Sequence, residues 1–223
     1  MARRGEVPRD REPLSRERVV AAGIRLADSA GVDAVSMRRV GASLGVEAMS
    51  LYRYVSRKDV LLDAMVDAVI AEFPRPDDEL SWQDSLRTLV LGAYLVLLDH
   101  PWAAASATSR PGVGPHRLRY TDDILGTLLA GGCAPQLAHD VSHAIDNHVF
   151  GFTLHELRVE AGSSGTAYRA DELLDRDAPA TPHLSHVLQN AHHDRDAEYA
   201  FVLDVLIAGV ERAIAESPTS AVG

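Results

Sequence analysis

The N-terminal part of the chain carries a closely spaced series of helix-start and helix-stop signals. Ser15 is a favoured N-cap residue, and Gly31 follows an apolar-periodic stretch at a position where helices commonly stop. Ser36 and Gly45 repeat this pattern over a much shorter interval. Because short helices gain little stability in isolation, these signals predict a small unit in which several helices pack together.

A third short helix is predicted over residues 48–55, directly after the turn at Gly45. Leu51 and Val55 lie one helical turn apart and can face the same core. A Ser-x-x-Asp capping box at residues 56–59 then opens a fourth helix. Two short helices joined by a tight glycine-containing turn, with a helix before and another after, form a helix-turn-helix unit.

The outer face of the third predicted helix carries groups that suit a nucleic acid. Ser50, Tyr52, Arg53 and Tyr54 project outward once Leu51 faces the core. The segment has no acidic residue, and aromatic side chains interleaved with arginine are unfavourable on a surface that contacts nothing. Hydroxyl and guanidinium groups contact phosphates and base edges, so the pattern indicates a DNA interface.

Charge is divided unevenly along the 223 residues. Residues 1–60 hold 12 Arg or Lys and 8 Asp or Glu, a net of +4, whereas the remainder carries −14 and brings the chain to −10. An acidic protein is a poor polyanion binder as a whole, but a basic end can still dock on phosphate. The asymmetry favours a nucleic-acid module at the N-terminus.

Residues 44–62 closely resemble the DNA-binding domain of the tetracycline-repressor (TetR) family, and residues 14–72 follow the family pattern without gaps. The turn glycine, the Leu51-Tyr52 pair and Lys58 all fall in register. The resemblance implies an all-α protein, with an N-terminal helix-turn-helix domain of three helices and a C-terminal helical bundle that binds a ligand and dimerises. We place a mobile arm at 1–13, the DNA-binding domain at 14–60 and the effector-binding and dimerisation domain at 61–223.

The resemblance also assigns roles in holding the DNA backbone. Ser36 and Arg38, at the start of the second helix, would meet a phosphate or a base edge. Ser50 and Tyr52 would hold the backbone, and Lys58 would anchor a phosphate at the N-terminus of the fourth helix.

Four further positions are expected to read bases. Arg53 and Tyr54 lie where family members vary with the operator sequence, and Ala48 and Met49 fall at base-facing positions. Tetracycline repressors carry a polar amide where this chain has Ala48. Alanine offers only an apolar contact, for example to a thymine methyl group, so their operator cannot be transferred to this chain.

The larger part of the chain is predicted to be helical from residue 80 to 216. Serine and proline residues at helix starts, and glycine pairs at helix stops, set the expected boundaries. These are a helix from 81 to 98, a break at 100–102, a helix over 117–129, a long helix over 135–160, a surface loop or short mobile helix over 161–182 and a final helix over 197–215.

The final predicted helix is apolar nearly all round, and such a helix needs partners on more than one side. One face can enter the chain's own core and the other can meet a second copy, together with the long helix, where Gly151 permits a close approach. We therefore expect a homodimer formed through 135–160 and 197–215, bound to double-stranded operator DNA.

A polar stripe on the long helix suggests where an effector binds. The stripe recurs at steps of three and four residues and consists of His139, His143, Asp146, Asn147 and Phe150. Such a stripe can line a ligand cavity inside a bundle, or it can face solvent or the subunit interface, and both alternatives remain open. The predicted effector-binding residues are Tyr94, His100, Trp102, His143, Asn147 and Phe150.

Enzyme chemistry has little support in the sequence. His139 and His143 have the spacing of a helical zinc site, but the acid between them is the shorter Asp140 and no third ligand is evident. We predict no metal, no cofactor and no catalytic residue. The alternative is a metal-dependent hydrolase, or a small-molecule-binding bundle, with a vestigial DNA-binding unit.

The remaining expectations concern location and response. No apolar run reaches the length of a membrane span, the N-terminus lacks a signal-peptide core, and the single Cys133 rules out an internal disulfide. We expect a soluble cytoplasmic regulator, specifically a homodimeric repressor that an unknown small-molecule effector releases from a palindromic operator.

Overall fold

Helices form all of the regular structure in the described part of the chain. The computed structural model describes residues 13–110, 113–163, 182–190 and 194–216, and no strand occurs within these ranges. The predicted all-α class is therefore confirmed. Apart from Pro13, the predicted arm lies outside the described residues, as do residues 164–181 of the predicted loop.

The chain divides into two compact units, Met1–Ala68 and Val69–Gly223. The division falls inside a helix, whereas the sequence places the domain boundary at 60/61, near the start of that helix. The described elements of the first unit are α1 (Arg16–Ala30), a 3-10 turn (Val32–Ala34), α2 (Met37–Leu44), α3 (Ala48–Leu51) and α4 (Lys58–Ile70), which continues into the second unit.

The predicted caps set the ends of the first two helices. The Ser15 hydroxyl accepts a hydrogen bond from the Arg18 amide at 3.2 Å, and Ser36 caps α2 in the same way. Gly45 ends α2 with φ at +69°, in the left-handed region that glycine adopts without strain. These local signals account for the agreement between predicted and observed boundaries.

Helix α3 is shorter than the predicted helix over 48–55. Its regular part ends at Leu51, whose carbonyl accepts hydrogen bonds from the amides of both Tyr54 and Val55 at 2.9 Å. One carbonyl that serves two amides closes a tight turn and ends the regular α-helical ladder. Leu51 and Val55 are nevertheless both buried, as their spacing predicts.

The first unit owes its close packing to two glycines. A Cβ atom on Gly23 of α1 would lie 2.6 Å from the Met65 sulfur of α4, and one on Gly41 of α2 would lie 2.9 Å from the Val46 carbonyl oxygen. At Gly41 the obstacle is backbone, so α2 can approach the following turn only without a side chain there; at Gly23 the Met65 side chain would have to shift. Around these contacts lies an apolar core formed by Val19, Ala22, Ala27, Val35, Val40, Leu51, Val55, Leu61 and Met65.

The second unit is a bundle of helices connected by short breaks. Its described elements after α4 are α5 (Trp82–Asp99), α6 (Pro101–Ser109), α7 (Pro115–Ala130), α8 (Pro135–Asp146), a π segment (Asn147–Gly151), α9 (Phe152–Ser163), α10 (Pro182–Asn190) and α11 (Arg195–Glu216). The predicted break at 100–102 is present, but a new helix starts at once, because Pro101 is well placed in a first helical turn.

The break between α5 and α6 also bears on membrane insertion. Within the described ranges, no single helix combines the length and apolarity required to cross a membrane. Taken together, α5 and α6 meet that requirement by length and composition, but a 108° bend separates them.

The long helix that the sequence predicts contains an irregularity. Residues 135–163 are helical throughout, but Asn147–Gly151 adopt the wider π form between α8 and α9. Three consecutive side chains, those of His148, Val149 and Phe150, are buried there. The period of about 3.6 residues in a regular α-helix disfavours three buried neighbours, and π segments are often found at functional sites.

Helix α11 buries only one of its faces, which packs against α5 and α8. That face consists of Tyr199, Leu203, Ile207 and Val210. On other faces Phe201 is 68% exposed and Val205 is 54% exposed. The helix therefore has more apolar surface than the described part of its own chain covers, as the sequence predicts.

Candidate DNA interface and effector-binding core

The nine predicted DNA-contacting residues lie at the start of α2, on α3 with the turn that follows it, and at the start of α4. We call this set the DNA face: Ser36, Arg38, Ala48, Met49, Ser50, Tyr52, Arg53, Tyr54 and Lys58. The Ser36 hydroxyl already has one partner, because it caps α2 by accepting a hydrogen bond from the Arg39 amide at 3.3 Å. Arg38 and Lys58 are exposed at the first turns of their helices.

The most exposed apolar and aromatic groups of the first unit belong to the DNA face. Met49 is 72% exposed and Tyr52 is 43% exposed, whereas Leu51 between them is fully buried. Arg53 is exposed, and Ala48, Ser50 and Tyr54 are half-buried. A helix of one turn thus directs one side chain into the core and presents its neighbours outward.

The electrostatics of the DNA face suit a polyanion. Residues 36–58 contain five Arg or Lys residues and a single acidic residue, Glu47. Within the described ranges, Arg38, Arg53 and Lys58 form no ion pair, so their charges are not already compensated. An exposed cationic surface with hydroxyl groups can contact phosphates, and exposed side chains on a short helix can reach base edges.

The interior of the second unit contains a cluster of stacked aromatic rings. The Tyr94 and Tyr199 rings stack with centroids 3.9 Å apart. The His148 ring also stacks on Tyr199, with centroids 4.2 Å apart. Phe152 packs edge-on to Tyr94 at 5.9 Å and to Tyr199 at 5.2 Å. We call these four residues, from α5, the π segment, α9 and α11, the aromatic cluster.

Two polar groups of the aromatic cluster bond to backbone carbonyls. The Tyr199 hydroxyl donates to the Val90 carbonyl at 3.0 Å, and His148 Nε2 lies 3.0 Å from the Tyr199 carbonyl oxygen. Because a carbonyl only accepts, the histidine must carry its proton on Nε2. Burial lowers the pKa of His148, so the ring is held in its neutral form.

Two tyrosine hydroxyls, one in this cluster and one beside it, lack such partners. Tyr94 and Tyr120 are fully buried, and neither hydroxyl has an acceptor in hydrogen-bonding geometry among the described residues, although the Asp196 carboxylate is near enough to the Tyr94 phenol to contribute to its raised pKa. Burial raises the pKa of Tyr94 to about 12 and also raises that of Tyr120, so both phenols remain protonated donors at neutral pH. Because buried polar groups are nearly always satisfied, two unbonded donors in one core indicate a place where acceptors bind.

A charged pair borders the same core. The Arg117 guanidinium lies 4.1 Å from the centroid of the Phe150 ring and donates to the Asp146 carboxylate at 2.6 Å. Burial raises the pKa of Asp146, and the arginine opposes that shift. The pair places a cation and an aromatic face next to the π segment.

The structure separates the predicted effector-binding residues into three groups. Tyr94 and Phe150 are buried in the core, and His100 lies edge-on to Trp102 with ring centroids 6.5 Å apart. His143 and Asn147 are exposed on the outside of this chain, in agreement with the alternative that the polar stripe faces solvent or the interface.

Sequence reasoning missed several residues that complete the core: Tyr120, His148, Phe152 and Tyr199. Periodicity could have identified Tyr199, because it begins the series of buried positions along α11. His148 follows the buried Ile145 by three residues, so helical spacing could also have placed it on the inner face, but its polar side chain gave no apolar signal.

Both units match described families. Residues 19–65 match the bacterial regulatory proteins of the tetR family, and residues 74–214 match the tetracyclin repressor-like C-terminal domain. An HTH-type transcriptional regulator from Saccharopolyspora erythraea is 34% identical over 207 residues, which cover 89% of this chain and 87% of that protein.

Two further proteins show the same similarity over most of the chain. Tetracycline repressor protein class G from Vibrio anguillarum is 28% identical over 210 residues, which cover 89% of this chain and 94% of that protein. The crystal structure of the TetR family protein ActR from Streptomyces coelicolor, in complex with actinorhodin, has 26% identity and a TM-score of 0.75, and covers 92% of this chain and 100% of its own.

Proposed function

The chain belongs to the TetR family and is a ligand-responsive, DNA-binding transcriptional repressor, and from this premise we propose that it acts in the cytoplasm as a homodimer on a palindromic operator. The family match favours a regulator over the helical-bundle hydrolase considered from the sequence. The observation that carries the proposal is the DNA face, an exposed and uncompensated cationic surface inside the segment that matches the family's DNA-binding domain.

In this proposal the DNA face has two parts. Ser50, Tyr52 and Lys58 hold the phosphate backbone, together with Ser36 and Arg38 at the start of α2. The exposed phenol of Tyr52 and the exposed ammonium of Lys58 support this assignment, because both reach groups outside the unit. These contacts position the protein on the duplex without reading its sequence.

The second part of the DNA face reads bases. Ala48, Met49, Arg53 and Tyr54 lie on α3 or the turn that follows it, and Met49 is the most exposed of the large apolar residues in the described chain. Arginine forms bidentate hydrogen bonds with guanine, and apolar side chains contact the thymine methyl group. We therefore assign sequence preference to these four residues.

The dimer forms through α8–α9 and α11. Support comes from two exposed surfaces on these neighbouring helices. One consists of the apolar side chains of Phe201, Val202 and Val205 on α11, and the other is the outer side of α8 and the π segment, which includes His143 and Gly151. A Cβ atom on Gly151 would meet no other group within 4 Å, so its outer side is open to a partner. Two such pairs of helices related by a two-fold axis would form a four-helix bundle.

This interface has a direct test in sedimentation. Phe201→Asp, which places a charge at the centre of the apolar surface, is expected to convert the dimer to a monomer and to abolish binding to a two-half-site operator. Leu118→Asp on α7, at a side chain that is also well exposed, is the matched control and should remain dimeric. A monomeric wild type, or equal dissociation in both variants, would contradict the proposed interface.

The effector binds in the core beside the aromatic cluster. Stacked rings favour a planar aromatic molecule, and the unbonded hydroxyls of Tyr94 and Tyr120 favour one that carries carbonyl or carboxylate oxygens as acceptors. The similarity to ActR, whose crystal structure contains actinorhodin, supports the same class of compound. We propose a polycyclic aromatic effector with oxygen acceptors.

Release from DNA follows from linkage between the two ligands. Effector binding and DNA binding favour different dimer geometries, and each weakens the other by the same factor. Helix α4 connects the DNA face to the second unit covalently, because it begins with Lys58 and continues past the boundary between the units.

Selection from random duplex DNA at physiological salt tests this function. A dimer with two DNA faces is expected to enrich a palindrome whose half-sites lie about 34–36 Å apart, or a multiple of that distance. Actinorhodin then serves as the probe for release of a labelled operator. Failure to enrich any palindrome with a folded, effector-free dimer would overturn the proposed operator recognition.

A further inference from the structure

We propose that His139 and His143 on α8 form a two-histidine site, here called the histidine clamp, for a divalent transition metal such as Zn²⁺. The two residues are one helical turn apart, and their ring centroids lie 4.6 Å apart with an 86° angle between the ring planes. This site goes beyond operator binding and effector release. Because His143 also lies on the surface that we propose for the dimer, the histidine clamp of a dimer would face the partner.

The geometry of the histidine clamp suits chelation. Zinc binds imidazole nitrogen at about 2.0–2.1 Å, which places two nitrogens on one tetrahedral ion roughly 3 Å apart. Side chains four positions apart on a helix share a face, so both rings can point a nitrogen at one ion by side-chain rotation alone. The backbone of α8 need not move.

Both imidazoles are available to a metal, unlike others in the second unit. His139 and His143 are exposed, and neither ring forms a hydrogen bond with another described residue. By contrast, His148 is buried with Nε2 against a carbonyl, and His100 lies 3.7 Å from the Glu72 carboxylate. Imidazole is a preferred ligand for Zn²⁺, Ni²⁺ and Cu²⁺, so the two open rings are the suitable donors.

Acidic neighbours make the surroundings favourable for a cation. Asp140 follows His139 and accepts a hydrogen bond from Gln136 at 3.0 Å, and the carboxylate of Asp146 interacts with His143 across the next turn. Among the described residues no third His, Cys, Asp or Glu joins the pair. Water, or the same pair from a second copy of the chain, would therefore fill the other positions around the ion.

A metal at the histidine clamp would fasten the turn of α8 that comes just before the π segment. The chelate links residues 139 and 143, and the π segment begins at Asn147. Because an ion that binds only the helical arrangement favours it by mass action, Zn²⁺ is expected to raise the melting temperature of the second unit.

Zinc titration of the metal-free full-length protein by calorimetry tests the site. We expect one ion per chain, or one per two chains if two clamps share it. His139→Gln and His143→Gln should each lower the affinity by about tenfold or more, since even loss of a group that only supports a ligand costs that much. The zinc-dependent rise in melting temperature should disappear in the same variants.

Two matched controls separate the histidine clamp from general histidine binding. His155→Gln removes a lone exposed histidine from α9, and His116→Gln removes a half-buried one from α7 whose Nδ1 lies 3.4 Å from Arg119 Nη1, so both should titrate like the wild type. Equal zinc binding by the wild type and the folded His139→Gln/His143→Gln double variant would overturn the proposal. So would an equal loss in either control.

Discussion

The two units use aromatic side chains in opposite ways. In the first unit Tyr52 stands 43% exposed on a surface of uncompensated positive charge. In the second unit Tyr94, Tyr120 and Tyr199 are fully buried, and two of their three hydroxyls have no hydrogen-bond partner among the described residues. One unit keeps its polar groups outside, where we propose that operator DNA binds, and the other keeps them inside, where we propose that a small molecule binds.

This difference shows how a repressor can serve two ligands without mixing their sites. DNA is too large to enter a core, so its contacts must be exposed and can be changed with little effect on folding. An enclosed effector must be met by buried polar groups, and those groups reduce stability while they remain unbonded. Variants in the two units should therefore affect folding and binding in different proportions.

Loss of core packing in the first unit should produce the largest effect. Leu51→Ala removes a fully buried side chain between α3 and its neighbours, and we expect unfolding of that unit to become easier by about 2–5 kcal/mol. Operator binding should be lost with it. Circular dichroism follows both units, whereas fluorescence follows only the second, because Trp82 and Trp102, the chain's two tryptophans, both lie there.

The comparison predicts two separate transitions in the Leu51→Ala variant. The helical signal should fall in an early step, and the tryptophan signal should change at its usual denaturant concentration. Coincident early transitions would show instead that the two units unfold together.

Two substitutions on the DNA face should affect binding without affecting folding. Lys58→Ala should weaken every operator sequence alike and reduce the salt dependence of binding by about one phosphate contact. Arg53→Ala should cost about 1–3 kcal/mol on the selected operator and relax the preference at one base pair. Binding measured on the operator and on scrambled DNA at several salt concentrations distinguishes them, and equal losses on all sequences from Arg53→Ala would contradict its role in base reading.

Sequence reasoning predicted the first unit more completely than the second, and the reason is physical. Ser15, Ser36 and Gly45 act through hydrogen bonds and backbone angles within a few residues, so their effects can be derived from neighbours in the chain. The contact between Tyr94 and Tyr199 joins residues far apart in sequence. No local rule predicts which aromatic residues of two distant helices will stack.

Local sequence rules did not predict where α3 ends or that a π segment interrupts the long helix. The helix over 48–55 was predicted too long, because the double use of the Leu51 carbonyl depends on how the next residues turn toward α4. Within the π segment Phe150 is buried although Asn147, three residues before it on the predicted stripe, is exposed. Packing, rather than propensity, decides both features.

Two tyrosine substitutions in the core should have opposite effects on stability. Tyr94→Phe removes a buried hydroxyl that bonds to nothing described, so the free energy of unfolding should rise by about 1–3 kcal/mol while effector affinity falls. Tyr199→Phe removes a hydroxyl that donates to the Val90 carbonyl, and should lower it by about 0.5–1.5 kcal/mol. Denaturation followed by tryptophan fluorescence measures both, and a destabilised Tyr94→Phe would imply that its hydroxyl is satisfied in the free protein.

The smallest expected effect is a dependence of stability on pH that arises from His148. Burial lowers the pKa of this histidine in the folded protein below its ordinary value of about 6.5. Protonation therefore favours the unfolded chain, and the stabilisation is complete above pH 6.5 and declines as the pH falls below it. In the first unit the side chains of Tyr52, Arg53 and Lys58 are exposed and do not act as buried titrating groups. The decline should therefore appear in the tryptophan signal of the second unit.

A comparison with His148→Gln separates this effect from other titrations. Burial raises the pKa of the Asp123 and Asp146 carboxyls in the same unit, but the wild type and the His148→Gln variant both retain those groups. Glutamine can still donate to the Tyr199 carbonyl and does not titrate, so the difference in unfolding free energy between the two proteins should shrink or reverse toward acid pH. A constant difference from pH 7.5 to 5.5 would mean that His148 takes up protons equally in the folded and unfolded states, and that the core around the aromatic cluster is open to water.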